Sequence, residues 1–115
     1  MIAEDVIKSA GILLKEHGWC QRYFCVNSET QVPVLMGQDL GKTSGYHHCI
    51  LGALRQYAFD QPESNSYNAY IDVMEKIALA IDPANEGVCI SAWNDEPGRT
   101  VEEVLAVLRK AMQPL

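Results

Sequence analysis

Apolar residues recur every three or four positions in some stretches of this chain and lose that period in others. Over 3–17, Ala3, Val6, Ile7, Ala10, Leu13 and Leu14 fall on one side of a helix, the pattern of a helix with one buried face. Glu4 and Asp5 lie in its first turn, where the helix dipole favours acids, and Gly18 after His17 is a left-handed stop. Gly11 weakens the helix by about 1 kcal/mol relative to Ala, which predicts close packing against a neighbour. Residues 46–59, YHHCILGALRQYAF, are the most continuously apolar stretch. They predict a central helix capped by Thr43 or Ser44. Ile50, Leu51, Leu54, Tyr57 and Ala58 form its broad apolar face, extended by Ala53. Gly52 and Ala53 are small enough to admit another helix, and Arg55 and Gln56 are expected to face water.

A third helix is predicted over 67–81 from Tyr70, Val73, Met74, Ile77, Ala78 and Ile81. Asn65 or Ser66 would cap it, and Asp82-Pro83 would end it, because the residue before proline leaves helical geometry. Thr100 opens the last helix and Glu103 completes a capping box. Val101, Val104, Leu105, Leu108, Ala111 and Met112 make its buried stripe, and Arg109 and Lys110 suit its last turn.

The helical period is absent between these segments. Trp19, Tyr23, Phe24, Val26, Val32, Val34 and Leu35 are β-formers around the polar cluster at 27–30. Pro33 has no N–H to donate, so the second arm is at best an edge. Residues 37–45 and 60–65 are polar loops, and Val88, Cys89 and Ile90 are expected to run extended into the core. Residues 91–99 form a turn in which Pro97-Gly98 suits a type II bend. The predicted fold is mainly α. About four helices pack around the central helix at 46–59, with a small irregular hairpin or extended arm at 19–36, in one globular domain over 1–115.

Composition narrows the function classes. The chain has 115 residues, 48% hydrophobic and 21% charged, enough to bury a core without disulfide staples. Its net charge of −6 disfavours nonspecific nucleic-acid binding and docking on anionic membranes. No apolar run reaches the roughly 20 residues that span a bilayer. The first residues carry acids where a signal peptide carries bases. The expected location is therefore the cytoplasm, where Cys20, Cys25, Cys49 and Cys89 stay reduced.

Four constellations invite chemistry. Cys20, Cys25, His47, His48 and Cys49 have the donor atoms of a zinc site. However, adjacent helical residues point about 100° apart, so His48 and Cys49 cannot easily share one tetrahedral ion. The spacing favours small buried cysteines and helix-start histidines, with no metal or cofactor assigned. A cysteine nucleophile would need His17, His47 or His48 as base, oriented by Asp39 or Asp95; no local signature supports it. In the 93–99 turn, Trp93, Asn94, Asp95 and Arg99 form a candidate recognition surface, with His48 as a further binding candidate. Capping and turn chemistry also accounts for each of the turn residues. Gly41-Lys42-Thr43 matches the end of a phosphate loop, but Gly37 and Gly41 are one residue too close and Asp39 would repel phosphate.

Three motifs occur in order: His17-Gly18-Trp19, then Cys49-x-x-Gly52-Ala53-Leu54, then a stretch from Trp93 to Val104 of the form WNDxPGRTxEEV. In these the chain resembles a family of small uncharacterised bacterial and phage proteins, a domain of unknown function. The resemblance implies a shared fold over nearly the whole chain and no activity; Tyr23 to Met36 fit it only loosely. A phage or mobile-element accessory role rests on that resemblance alone. No acid pair, nucleophile set or cofactor loop outweighs its structural explanation. The sequence therefore favours a non-enzymatic domain that binds another protein or itself, at the 93–99 turn with the arm around Trp19 and Tyr23. The alternatives are a Cys/His metal protein or enzyme, and a small-ligand pocket lined by Trp93, Arg99 and His48.

Overall fold

In the computed structural model, α1 spans Ile2–His17, and the six apolar positions on its predicted face are all buried. It stops where expected. Gly18 takes φ +113° and its N–H donates to the Leu14 carbonyl at 3.1 Å. The structure describes residues 2–35, 37–59, 63–84 and 88–113.

After α1 the chain enters a small sheet. Strand β1, Cys25–Asn27, pairs antiparallel with β2, Tyr46–His48, matching Cys25 to His48 and Val26 to His47. Trp19 bridges His48 on its other side, and Val26 bridges Pro33. Within the arm, Asn27 N–H donates to the Val32 carbonyl and Val34 N–H to the Cys25 carbonyl. Pro33 lies on the outer edge, where its missing N–H interrupts no ladder. The turn at 27–30 is closed by Asn27, whose Oδ1 accepts from the N–H groups of Glu29 and Thr30.

The central helix is shorter than the sequence predicts: α2 spans Ile50–Ala58. Tyr46, His47 and His48 form strand β2 because β1 and Gly18 take their backbone groups. The cap is therefore Cys49, not Thr43 or Ser44; its sulfur accepts from Gly52 N–H at 3.3 Å. Gly52 does make room, but for the backbone of Phe24 and not for a helix: a Cβ there would collide with the Phe24 carbonyl. Gln56 is buried, and Arg55 is mostly covered. The expectation that both face water fails because the 37–45 loop folds back over them.

Helix α3 spans Glu63–Ile81 and starts sooner than predicted. It already runs through Asn65 and Ser66, the expected caps, whose side chains lie outside the described residues, as does Pro62. The expected loop at 84–87 is described only at Ala84, whose N–H donates to Asp82 Oδ1. Cys89 and Ile90 do not form an extended strand. Cys89 is an exposed N-cap, and a short helix α4, Ile90–Asn94, replaces the first half of the predicted turn. Helix α5, Val101–Ala111, carries the full capping box between Thr100 and Glu103. The fold is mainly α, with five helices and a two-stranded sheet among the described residues. The core gathers the α1 face, Ile50, Ala53, Leu54 and Ala58 of α2, Val73 and Ile77 of α3, Ile90 of α4, and Val104 and Leu108 of α5.

Candidate functional site

Helix α4 and the turn after it lie against the arm, and Asn94 joins them. It is fully buried. Its Oδ1 accepts from the Trp19 indole N–H at 2.7 Å and from Ile50 N–H at 3.0 Å. Its Nδ2 donates to the Cys20 carbonyl at 3.2 Å and to Asp95 Oδ1 at 2.9 Å. One amide thus satisfies an indole, an orphan N–H at the start of α2 and a loop carbonyl. Asp95 Oδ1 also accepts from Arg22 N–H at 2.8 Å. That bond helps hold Arg22 at φ +78°, a conformation L residues adopt only under constraint.

The turn beyond α4 is held by its backbone geometry and by Arg99. Gly98 has φ +87° and Arg99 N–H donates to the Glu96 carbonyl at 3.0 Å, the geometry of a type II turn. Arg99 stacks on the Trp93 ring at 4.1 Å, donates to the Trp93 carbonyl and pairs with Glu103 at 3.1 Å. Trp93 packs on the core. Of the predicted recognition residues, then, Trp93, Asn94 and Arg99 are committed internally. Asp95 lines an opening.

That opening is a cleft of about 330 Å³ between the arm and α4. Tyr23, Phe24, Val34 and Leu35 form its apolar wall, Cys49 its floor, and Arg22 and Asp95 its charged rim. Tyr23 is 50% and Leu35 69% exposed, and neighbouring Val32 is 59% exposed. Arg22 is exposed and its guanidinium pairs with no described carboxylate. No signal in the sequence marked Arg22, because its position depends on a bond from residue 95.

His48 lies under the sheet with no exposed surface, so it does not share an open pocket with Trp93 and Arg99. Neither ring nitrogen has a hydrogen-bond partner among the described residues. Burial holds its pKa below the ordinary value. The Lys42 backbone, which approaches without reaching good hydrogen-bond geometry, and the Asp39 carboxylate oppose that shift, while His17 and His47 add to it. Asp39 is not free to orient a histidine. It is buried, pairs with Arg55 at 3.3 Å and accepts from Gly37 N–H.

The cysteines are protonated thiols where they are buried. Burial, reinforced by Cys49 and Cys25, pushes Cys20 up to about 12, and burial pushes Cys25 and Cys49 up to about 11. Cys89 moves the other way, because the Ser91 hydroxyl bonds its sulfur. Among the described residues no three His, Cys, Asp or Glu side chains come together to hold a metal ion. Cys20, Cys25, His47, His48 and Cys49 are neighbours without being a ligand set. The Gly41-Lys42-Thr43 loop is likewise turned inward. Gly41 N–H donates to Gln56 Oε1 at 2.7 Å and Lys42 N–H to the Asp39 carbonyl at 3.1 Å, so these amides cannot cradle a phosphate. Among the described residues no helix is long and apolar enough to cross a membrane.

Comparison with known proteins adds one finding. The model of a family of unknown function, DUF6197, matches residues 2–114. The chain belongs to that family. No curated protein and no solved structure matches.

Proposed function

We propose that this member of a family of unknown function is a non-catalytic binding domain. It takes a protein segment that carries a large apolar side chain next to a carboxylate. The observation that carries the reading is the cleft between the arm and α4, where Tyr23 and Leu35 leave apolar surface open beside Arg22, whose guanidinium pairs with no carboxylate among the described residues. Exposed aromatic and Arg side chains are the usual anchors of protein recognition. Asp95 at the same rim already accepts from the Arg22 backbone N–H and from Asn94 Nδ2, which leaves the Arg22 guanidinium to favour an acid beside the apolar residue. Against catalysis stand the raised pKa values of Cys20, Cys25 and Cys49 and the His48 ring, whose nitrogens have no hydrogen-bond partner among the described residues, since a thiolate nucleophile needs a lowered pKa and an aligned base. Four free cysteines suit a reducing compartment, here read as the cytoplasm.

Selection of random peptides on the immobilised protein tests this reading. Enrichment of apolar-acidic pairs that Arg22→Glu abolishes is the expected outcome. Enrichment indifferent to Arg22→Glu and to Tyr23→Ser would place recognition elsewhere. Size-exclusion chromatography with light scattering covers self-association. A dimer broken by Tyr23→Ser and Leu35→Ser would make a second copy the occupant in place of a partner.

A further inference from the structure

The chain has three histidines, His17, His47 and His48, and they meet where α1 gives way to the sheet. His17 ends α1. The His47 ring occupies the space that a side chain at Gly18 would need. His48 is buried beneath, close enough to both for their charges to act on it. The His48 backbone is the hub of the sheet. Its N–H donates to the Gly18 carbonyl, its carbonyl accepts from Cys20 N–H, and it pairs with Cys25 of β1.

We propose that this histidine junction is an acid-responsive latch: protonation of His48 releases β2 from β1 and from Gly18, and frees the arm that walls the cleft. The ring is buried, and neither of its nitrogens has a hydrogen-bond partner among the described residues. An imidazolium there would be a buried charge without a hydrogen-bond partner, which proteins avoid by neutralising the group or by exposing it. The groups that act on the ring do not outweigh its burial: the Lys42 backbone and the Asp39 carboxylate, itself paired with Arg55 of α2, favour the charged ring, while His17 of α1 and the adjacent His47 act against it. The easiest relief is local. The sheet is two short strands, and short, partly solvated ladders open at lower free energy than core helices. Because the folded-state pKa lies below the unfolded value of about 6.5, the unfolded arm binds more protons. The latch is closed above that value and weakens as pH falls through it. It is a property of the fold and does not depend on what the cleft binds.

Hydrogen exchange of the full chain, corrected for intrinsic rates, tests the latch between about pH 7.5 and about pH 5. Arm and β2 amides should lose protection by up to about tenfold relative to α5. His48→Met, which sacrifices no side-chain hydrogen bond, should flatten that response, while His17→Gln and His47→Gln should retain most of it. An equal response in α5 and the arm, or a full response in His48→Met, would overturn the proposal. If His48→Met does not fold, NMR titration of the native imidazoles decides instead. His48 titrating at an ordinary midpoint while the arm stays protected refutes the latch, and His48 staying neutral until the arm opens supports it.

Discussion

The side-chain carbonyl of Asn94 accepts the first N–H of α2, from Ile50, at 3.0 Å. This helix start is therefore completed by a residue from α4, 44 positions downstream. Asn94→Leu would strand that buried N–H together with the part-buried Trp19 indole and Cys20 carbonyl, each costly to leave unpaired. We expect a loss of about 3 kcal/mol or more in urea unfolding, with altered Trp19 fluorescence. A loss below about 1 kcal/mol would mean the amide is not the hub its geometry describes.

Two helical glycines should respond oppositely to alanine. At Gly11 a Cβ would make an ordinary 3.7 Å contact with Leu108. The close packing predicted from sequence is therefore absent, and Gly11→Ala should stabilise by about 0.5–1 kcal/mol. At Gly52 the new Cβ would strike the Phe24 carbonyl, and this is backbone that cannot swing aside. Gly52→Ala should displace the arm or prevent folding. Thermal melts of the two variants read both signs.

The Asp39–Arg55 pair is tested by a cycle. Arg55 lies against the Phe24 and Phe59 rings, 5.2 and 5.3 Å from their centroids. Removing Asp39 leaves that cation nearly buried, which costs about 3–5 kcal/mol in comparable sites. Asp39→Leu should therefore destabilise strongly, and adding Arg55→Met should recover a substantial part. If the double variant is no better than the single one, the pair is not what holds the 37–45 loop.

Thiol labelling should be sharply uneven. Cys89 is exposed with its pKa lowered, whereas Cys25 and Cys49 are buried with theirs raised. Alkylation at about pH 7.5 should modify Cys89 first, because only the thiolate reacts. Mass spectrometry of peptides locates the label. Rapid labelling of Cys49 would show that the cleft floor opens in solution.

At the cleft, Tyr23→Ser and Leu35→Ser should each change stability by no more than about 0.5 kcal/mol, as exposed positions usually do. A larger loss in denaturation would show that these side chains serve the fold more than a partner.

The sequence revealed what is local. The face of α1, its glycine stop, the Thr100–Glu103 capping box and the Pro97-Gly98 turn each depend on residues a few positions apart. What it concealed is long-range. Tyr46 to His48 carry a helix-compatible pattern until β1, some 20 residues upstream, claims their backbone. Arg55 and Gln56 look solvent-facing until Asp39 is placed beside them. Asn94 passes for a turn residue, because its partners Trp19 and Cys20 lie 75 and 74 positions away. Arg22 carries no sequence signal at all, since residue 95 holds its backbone.

The reach of Asn94 also sets an order of events during synthesis. A nascent chain can form α1 as soon as it emerges, since that helix closes on itself. The start of α2, the indole of Trp19 and the base of the arm cannot be satisfied until Asn94 has left the ribosome. Until then the arm and its apolar residues have no finished wall to rest on, and this is the interval in which a chaperone or a premature partner would find them.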